Sequence, residues 1–466
     1  MNQKEKFDRF IQKYPHRHAP VFFERPHLSR RQFFELGGAG VTGFFLPQRL
    51  RAADTSTQAA VTPKGTARNC IFILLAGAPS HIDTFDFKQV AGVTPNDFNP
   101  TTVNGILFPV GLLPKMAQQL PNIAIARSMR AWALVHNLAQ VWTQIGRNPA
   151  AALGDIAPNI GSIVAAEKES ERRPTDVLPT FLALNSGGAS GSGYLSAKYA
   201  PFKTNPAGGG LPNSTTTAAG GPAIFNERFG LMHTLDDPLR VRSPLGKRAE
   251  DLDAFYTAAR SMIDNPVIAR AFSYPTGDSE RYGNSPFGNA CLVAKQVLGE
   301  NAGTRYIQIT LGGWDMHQNI YNQQTGLYRL GKFLDDGLSA LLTDLKSSGL
   351  LNETLVVVQG EFGRTVGALS AQQGRDHYLV QFGLFAGAGV RGGKVIGSTD
   401  STGGVILQYG WSRDREIRPE DVEATVYSAL GIDWTKVRYD DPFGRGFEYV
   451  PYSGQDVYGP INELWT

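Results

Sequence analysis

Residues 304–319 read TRYIQITLGGWDMHQN, residues 354–365 read TLVVVQGEFGRT, and residues 374–385 read GRDHYLVQFGLF. In each, a short apolar run borders a turn that carries ionisable side chains: Asp315 and His317, then Glu361 and Arg364, then Arg375, Asp376 and His377. Short β-branched runs flanked by turn residues mark the buried strands of a parallel sheet. Between the first two runs, Leu327, Leu330, Leu334, Leu338, Leu341 and Leu345 recur at three- and four-residue spacing, which is one face of a long helix. Strand, helix, strand is the crossover that parallel strands require. The crevice beyond the carboxyl ends of such strands is where α/β proteins place their sites. Acids and imidazoles far apart in sequence are therefore expected at one rim of one sheet.

The same alternation extends in both directions. CIFILLA (Cys70–Ala76) predicts a first, central strand, and it ends in the turn GAPSHIDTFD (77–86), which carries His81, Asp83 and Asp86. Asn122–Ala126 and Leu178–Leu184 read as further strands, and His136 to Gly146 as a helix with the glycine near its end. Helical spacing returns at Leu252, Phe255, Tyr256, Ala259, Met262 and Ile263, and again over Phe287–Leu298. Pro419, with Glu420 and Asp421 behind it and Gly431 beyond, marks a last helix. Residues 186–221 are rich in Gly, Ser, Thr, Asn and Pro and read as a surface excursion or lid. The whole predicts one α/β domain over residues 69–466 with that insertion.

At 466 residues and a formal charge of +3, with Lys and Arg not gathered into a stripe, a nucleic-acid partner is a poor match. Only Cys70 and Cys291 are present and no Cys-x-x-Cys exists, so a thiolate zinc site is a poor match, and two separate buried thiols are expected at least as readily as a pair. Residues 29–34, SRRQFF, precede the small and apolar run Leu36 to Pro47 and then Arg49, Arg51, Ala52 and Ala53. That order resembles a bacterial twin-arginine export signal over residues 1–53, followed by a polar linker at 54–68. The apolar run is too short for a bilayer, which needs about 20 residues, so no transmembrane segment is expected. The implied location is periplasmic or extracellular, reached through the export machinery.

Imidazole with carboxylate is a ligand set for zinc or another first-row metal, while carboxylates also suit calcium, magnesium or manganese. Asp315 and His317, two apart, can turn toward one ion, with His377 from the third run. Glu361 is a candidate second-site ligand, and Arg364 and Arg375 are candidate oxyanion clamps. Blander roles exist for each: Glu361 with Arg364 as a local ion pair, Asp376 as the orienter of His377, His81 and Asp83 as turn caps, Trp314 as packing.

GGWDMH, VVVQGEFGRT, GRDHY, GAPSHIDTFD and GSGYLSAKYAPF (191–202) together resemble the exported bacterial domain-of-unknown-function family 1501, which is related to the alkaline phosphatase and sulfatase superfamily. The resemblance covers roughly residues 66–450 and implies a three-layer α/β/α sandwich with a largely parallel central sheet. It also implies one or two divalent metals, zinc first, and hydrolysis or transfer of a small-molecule or polysaccharide phosphate or sulfate ester. Carried over, Asp315, His317 and His377 hold one metal. Glu361 takes the place of an Asp that serves the other, with His81 or Asp83 standing in for an Asp after the first strand. That Asp is itself replaced by Gly77 or Ala78, and two further positions depart from the pattern. Phe362 falls where a metal-binding His is expected. The position ten before Gly146, where the superfamily has its alcohol nucleophile, is His136. His136 is thus a nucleophile, a general base or an added ligand. The rival reading is a catalytically degenerate member that serves as an exported binding or scaffold protein. A carbohydrate-binding module rests on aromatic content alone.

Overall fold

Every residue of the strand Asn69–Leu75 is buried, because the strand has a neighbour on each edge and apolar side chains packed on each face. The structure, a computed structural model, describes residues 61–216, 220–240 and 246–466. The export-signal reading of residues 1–53 and the first part of the linker lie outside the described residues.

Eight strands make the central sheet: β1 (Asn69–Leu75), β2 (Ile123–Arg130), β3 (Phe181–Leu184), β4 (Phe202–Thr204), β5 (Tyr306–Leu311), β6 (Thr354–Gly360), β7 (Val380–Ala386) and β8 (Lys394–Ile396). Their spatial order is β8-β2-β7-β6-β1-β5-β3-β4. β1 is parallel to β5 and β6, β3 to β4 and β5, and β2 to β8, while β7 alone runs antiparallel to both of its neighbours. The helices that matter here are α1 (His136–Ile145), α2 (Ile160–Glu167), α3 (Pro286–Glu300), α4 (Leu327–Ser347) and α5 (Pro419–Ala429).

Alternation along β1 sorts the helices into two layers. Ile71, Ile73 and Leu75 face a core shared with Cys291 and Val293 of α3 and the leucine stripe of α4. Cys70, Phe72 and Leu74 face the other core, with Ile160 and Val164 of α2 and Val422 and Val426 of α5. Each fully buried leucine of the α4 stripe contributes about 1.5–3 kcal/mol. The result is the three-layer sandwich with a largely parallel sheet. The two cysteines are free and buried in separate cores.

Register places the chemistry. Leu75 pairs with both Leu311 and Gly360, so Gly77, the 312–317 turn and Glu361 all leave the sheet at one level. Because β7 is reversed, its first residue, Val380, pairs with Arg130 at the end of β2. His377, just before β7, and His136, just after β2, therefore reach the same rim as Asp315 and His317.

Two elements differ from expectation. β2 continues past Ala126 to Arg130, since Ser128 and Met129 are buried and the mid-strand Arg127 is satisfied by the Phe85 carbonyl at 2.9 Å and by Asp86 at 3.3 Å. The 186–221 stretch is not wholly a surface excursion: Phe202–Thr204 closes the sheet as an edge strand, with Leu182 opposite Phe202. Gly and Pro on either side hid a strand of only three residues. Among the described residues no helix is long and apolar enough to cross a membrane.

Candidate metal centre

The turn after β5 reaches the end of β1 because of one glycine. A Cβ on Gly77, at φ +104°, would stand 2.5 Å from the Asp315 amide nitrogen and 2.7 Å from that of Trp314. With that contact made, Asp315 and His317 project from the turn while Trp314 is buried behind them. The helix α1 begins at His136 and is closed by Gly146, whose N–H donates to the Trp142 carbonyl at 2.8 Å.

Four ligand atoms, from His136, Asp315, His317 and His377, lie within 4.8 Å of one another. Asp315 Oδ1 stands 2.9 Å from His317 Nε2, 3.1 Å from His136 Nε2 and 3.8 Å from His377 Nε2. The Nε2 atoms of His317 and His377 are 3.0 Å apart. Each imidazole is fixed from behind. The Nδ1–H of His136 donates to Glu361 Oε1 at 2.7 Å, that of His317 to Asp376 Oδ1 at 2.8 Å, and that of His377 to the Leu134 carbonyl at 2.7 Å. An Nδ1 that donates leaves Nε2 as a lone pair when the ring is neutral. Three such lone pairs and one carboxylate oxygen then converge on a single point. His136 Nε2 is buried and has no hydrogen-bond partner there. Facing lone pairs repel unless a cation lies between them, and backing of this kind is how metal-ligating histidines are held. The residues present fit one divalent ion with a His₃Asp set, and the nitrogen-rich chemistry suits zinc before calcium or magnesium.

Electrostatics prepare the same state. Burial raises the Asp315 carboxyl, but the Arg364 hydrogen bond and charge outweigh it and hold the group below its ordinary range. His377 is lowered by burial first, then by Arg364 and the neighbouring imidazoles, which favours the neutral, ligating ring. Arg364 is fully buried: it donates to Asp315 Oδ1 at 2.6 Å, to the Ala78 carbonyl at 2.9 Å and to the Arg375 carbonyl at 3.1 Å.

The remaining expected site residues stand elsewhere. Glu361 lies behind His136, its Oε1 also accepting from the Gly77 N–H at 2.8 Å and Gln140 at 3.1 Å. It pairs with His136, whereas Arg364 pairs with Asp315, so the two do not form the local ion pair. Asp376 orients His317 and not His377. Asp83 and Arg375 form a buried pair at 2.8 Å, and both Asp83 oxygens are occupied, by Tyr321 on one and by Ser80 and Arg375 on the other. Three more N–H groups of Arg375 go to Tyr321 and the carbonyls of Thr365 and Gly367, so most of its fork is spent on the fold. His81 is fully buried with Nε2 at 2.9 Å from the Gly403 carbonyl, and burial lowers its pKa. His81, Asp83 and Arg375 thus join an adjoining network and not the four-residue cluster. Phe362 packs its ring on His136 and His377, with centroids at 4.8 and 4.6 Å. Sequence reading missed Gln140, which shares a helix face with His136 at i+4, and the Leu134 carbonyl, which no side-chain pattern signals.

A family model described as "Protein of unknown function (DUF1501)" matches residues 67–458. No curated protein matches the sequence. Solved structures similar to it include Ps i-CgsB, at 12% identity and TM-score 0.41 over 86% of this chain and 79% of that one. The PsFucS1 sulfatase from Pseudoalteromonas sp. follows at 11% and 0.37, covering 80% and 68%. The alkaline phosphatase of the Antarctic bacterium TAB5 stands at 16% and 0.32, covering 72% and 95%. At TM-scores below 0.5 these likenesses do not bear on the chemistry of this chain.

Proposed function

The chain belongs to the family described as a protein of unknown function (DUF1501), and from that premise we propose that it is an exported, metal-dependent hydrolase of phosphate or sulfate esters. One observation carries the reading: three imidazole Nε2 atoms and Asp315 converge on one point, each ring held from behind by an acceptor. When bound there, a divalent ion supplies Lewis acidity toward a phosphoryl or sulfuryl oxygen and acidifies water.

The chain's own residues set the stage for that chemistry. His136, His317, His377 and Asp315 hold the ion. Glu361, Asp376 and the Leu134 carbonyl keep the ring tautomers. Arg364 locks Asp315 in place and adds a buried positive charge beside the anionic substrate. His136 acts as a ligand in this scheme, because its one free nitrogen faces the cluster. Water then replaces the alcohol at phosphorus or sulfur: the ester P–O or S–O bond breaks, the water oxygen bonds in its place, and a proton leaves with the alcohol.

The test is turnover of 4-nitrophenyl phosphate and 4-nitrophenyl sulfate by the zinc-loaded full chain against the chelated protein, alongside metal analysis. Metal bound at one equivalent, with neither ester cleaved above the chelated control, defeats the hydrolase reading. It would favour the binding or scaffold protein, a reading supported by the commitment of four of the five Arg375 N–H groups to the fold. Export is tested separately. Arg30→Lys with Arg31→Lys should trap the protein in the cytoplasm on fractionation, and unchanged distribution rejects the twin-arginine signal.

A further inference from the structure

A cavity of about 860 Å³ lies against β4, the strand at the free edge of the sheet, and none of the four cluster residues lines it. The helix Lys247–Met262 straps across it, pinned to the segments on either side of β4. Near its start the Ser196 hydroxyl donates to Asp251 at 2.6 Å. Just past its end, Asp264 donates its N–H to the Ser214 carbonyl at 2.8 Å and accepts from the Thr216 N–H at 2.9 Å. Between the pins Phe255, Ala259 and Met262, spaced i, i+4 and i+7, line the same cavity as Val177, Pro179 and Phe202. From Phe255 to Met262 the helix runs about 10 Å. Two apolar walls thus border one gap without filling it, and Phe255 stays 43% exposed. The charges of the lining do not cancel. Arg172, Lys198 and Lys203 stand against Glu169 and Asp176. Lys198 pairs with Glu169 at 3.2 Å, and the Asp176 carboxylate is engaged by Arg173, outside the lining, at 2.7 Å. Arg172 donates to neutral oxygens: the Asp176 carbonyl at 2.8 Å, the Leu178 carbonyl at 3.1 Å and the Thr180 hydroxyl at 2.7 Å.

We propose that this groove binds an elongated apolar monoanion of the fatty-carboxylate class, with its chain along the helix face and its carboxylate at Arg172. The site is separate from the metal centre and independent of the hydrolase reading. Three features argue for that occupant. The volume falls within the range of about 300–1,000 Å³ usual for small-molecule sites. The long apolar walls gain when an alkyl chain displaces water from them. The surplus positive charge sits at one polar end, where a guanidinium suits a carboxylate. An added peptide strand fits less well, because β4 offers only three residues for a ladder.

Calorimetric titration of the full chain tests the groove, with octanoate, decanoate and dodecanoate as probes beside neutral 1-decanol and cationic decyltrimethylammonium. One equivalent should bind, with affinity rising about tenfold for each two methylenes added. Decanoate should bind about tenfold more tightly than either uncharged or cationic decyl probe. Zinc-loaded and chelated protein should give the same constants. Ala259→Trp, at an exposed helix position, fills the groove with an indole and should weaken decanoate by more than about tenfold, with the melting temperature reporting that the fold is kept. Leu235→Ser, on the exposed face of the neighbouring helix Gly221–Arg240 and outside the lining, should change nothing. The proposal is overturned by absence of saturable binding, by equal affinity for 1-decanol, by binding that survives Ala259→Trp in folded protein, or by its loss in Leu235→Ser. Binding that requires zinc would place the carboxylate at the ion and overturns it as well. A dimer in sedimentation that Ala259→Trp converts to monomer would assign the groove to a second copy of the chain, and the proposal falls. The wild-type probe series decides the matter alone if the tryptophan variant does not fold.

Discussion

At the scale of the residue, the three imidazoles are backed unequally. Glu361 is 1% exposed and gathers His136, Gln140 and the Gly77 amide on one oxygen. Asp376 has a side chain 69% exposed, so water competes for its bond to His317. A buried charged acceptor is worth more than a solvated one, because little else can replace it. Glu361→Gln should therefore weaken zinc binding by about 10–100-fold, and Asp376→Asn by less than about tenfold. Competition with a chromophoric chelator reads both constants, and the reverse order would show that burial does not set the strength of these bonds. Arg364→Lys keeps the charge but loses the planar fork that spans Asp315 and the Ala78 carbonyl. Zinc affinity should fall, and restoration of wild-type affinity by lysine would mean that only charge matters at this position.

At the scale of the element, α1 is gripped by α5. The indole N–H groups of Trp132 and Trp142 both donate to Glu420, at 3.0 and 2.9 Å, and Gly146 closes α1 against the Glu423 carboxylate with no room for a Cβ. Burial pushes Glu423 up to about 8 and Glu420 up to about 7. For Glu423, the native state keeps a proton that the unfolded chain gives up near 4.5, so native protein binds more protons between 4.5 and about 8. Stability contributed by this site is therefore greatest below that window and falls as pH rises through it. The loss is at most about 5 kcal/mol. Glu423→Gln carries no proton to lose, so its melting temperature relative to wild type should climb steadily from pH 5 to pH 9. A flat difference across that range would place the charge elsewhere. The position of α5 was plain from Pro419 and Gly431, but its grip on α1 was not. Glu420 read as an ordinary first-turn acid and Glu423 carried no signal, and only the packing of two helices far apart in sequence makes them buried.

At the scale of the whole molecule, the sheet's rim gathers its ligands from three separate connections: the segment after β2, the turn after β5 and the strand ahead of β7. Much of that was readable, because strand runs and their turns fix which end of the chain faces which rim. What escaped was side-chain direction. Asp83 and Arg375 are 292 residues apart and pair with each other behind the cluster, and no spacing rule reports that. On the metal-centre reading, the three-connection geometry would make a bound ion a cross-link of the fold, so its binding energy would enter global stability by linkage. With free zinc at about a thousand times Kd, the native state should gain about 4 kcal/mol, and chelation should lower the melting temperature of the entire domain cooperatively. The gain must also depend on pH in a definite direction. His377 has its pKa held below the ordinary 6.5 in the folded protein, so the metal-free chain already gains stability as pH rises toward 6.5 and loses it as pH falls through that range. Zinc requires all three rings neutral, and the same protons therefore compete with the ion. Melting curves with and without zinc should stand well apart at pH 7.5, draw together below pH 6 and coincide near pH 5. A zinc-induced shift that persists at pH 5 would mean that carboxylates alone hold the ion, and the imidazole cluster would then not be the metal centre.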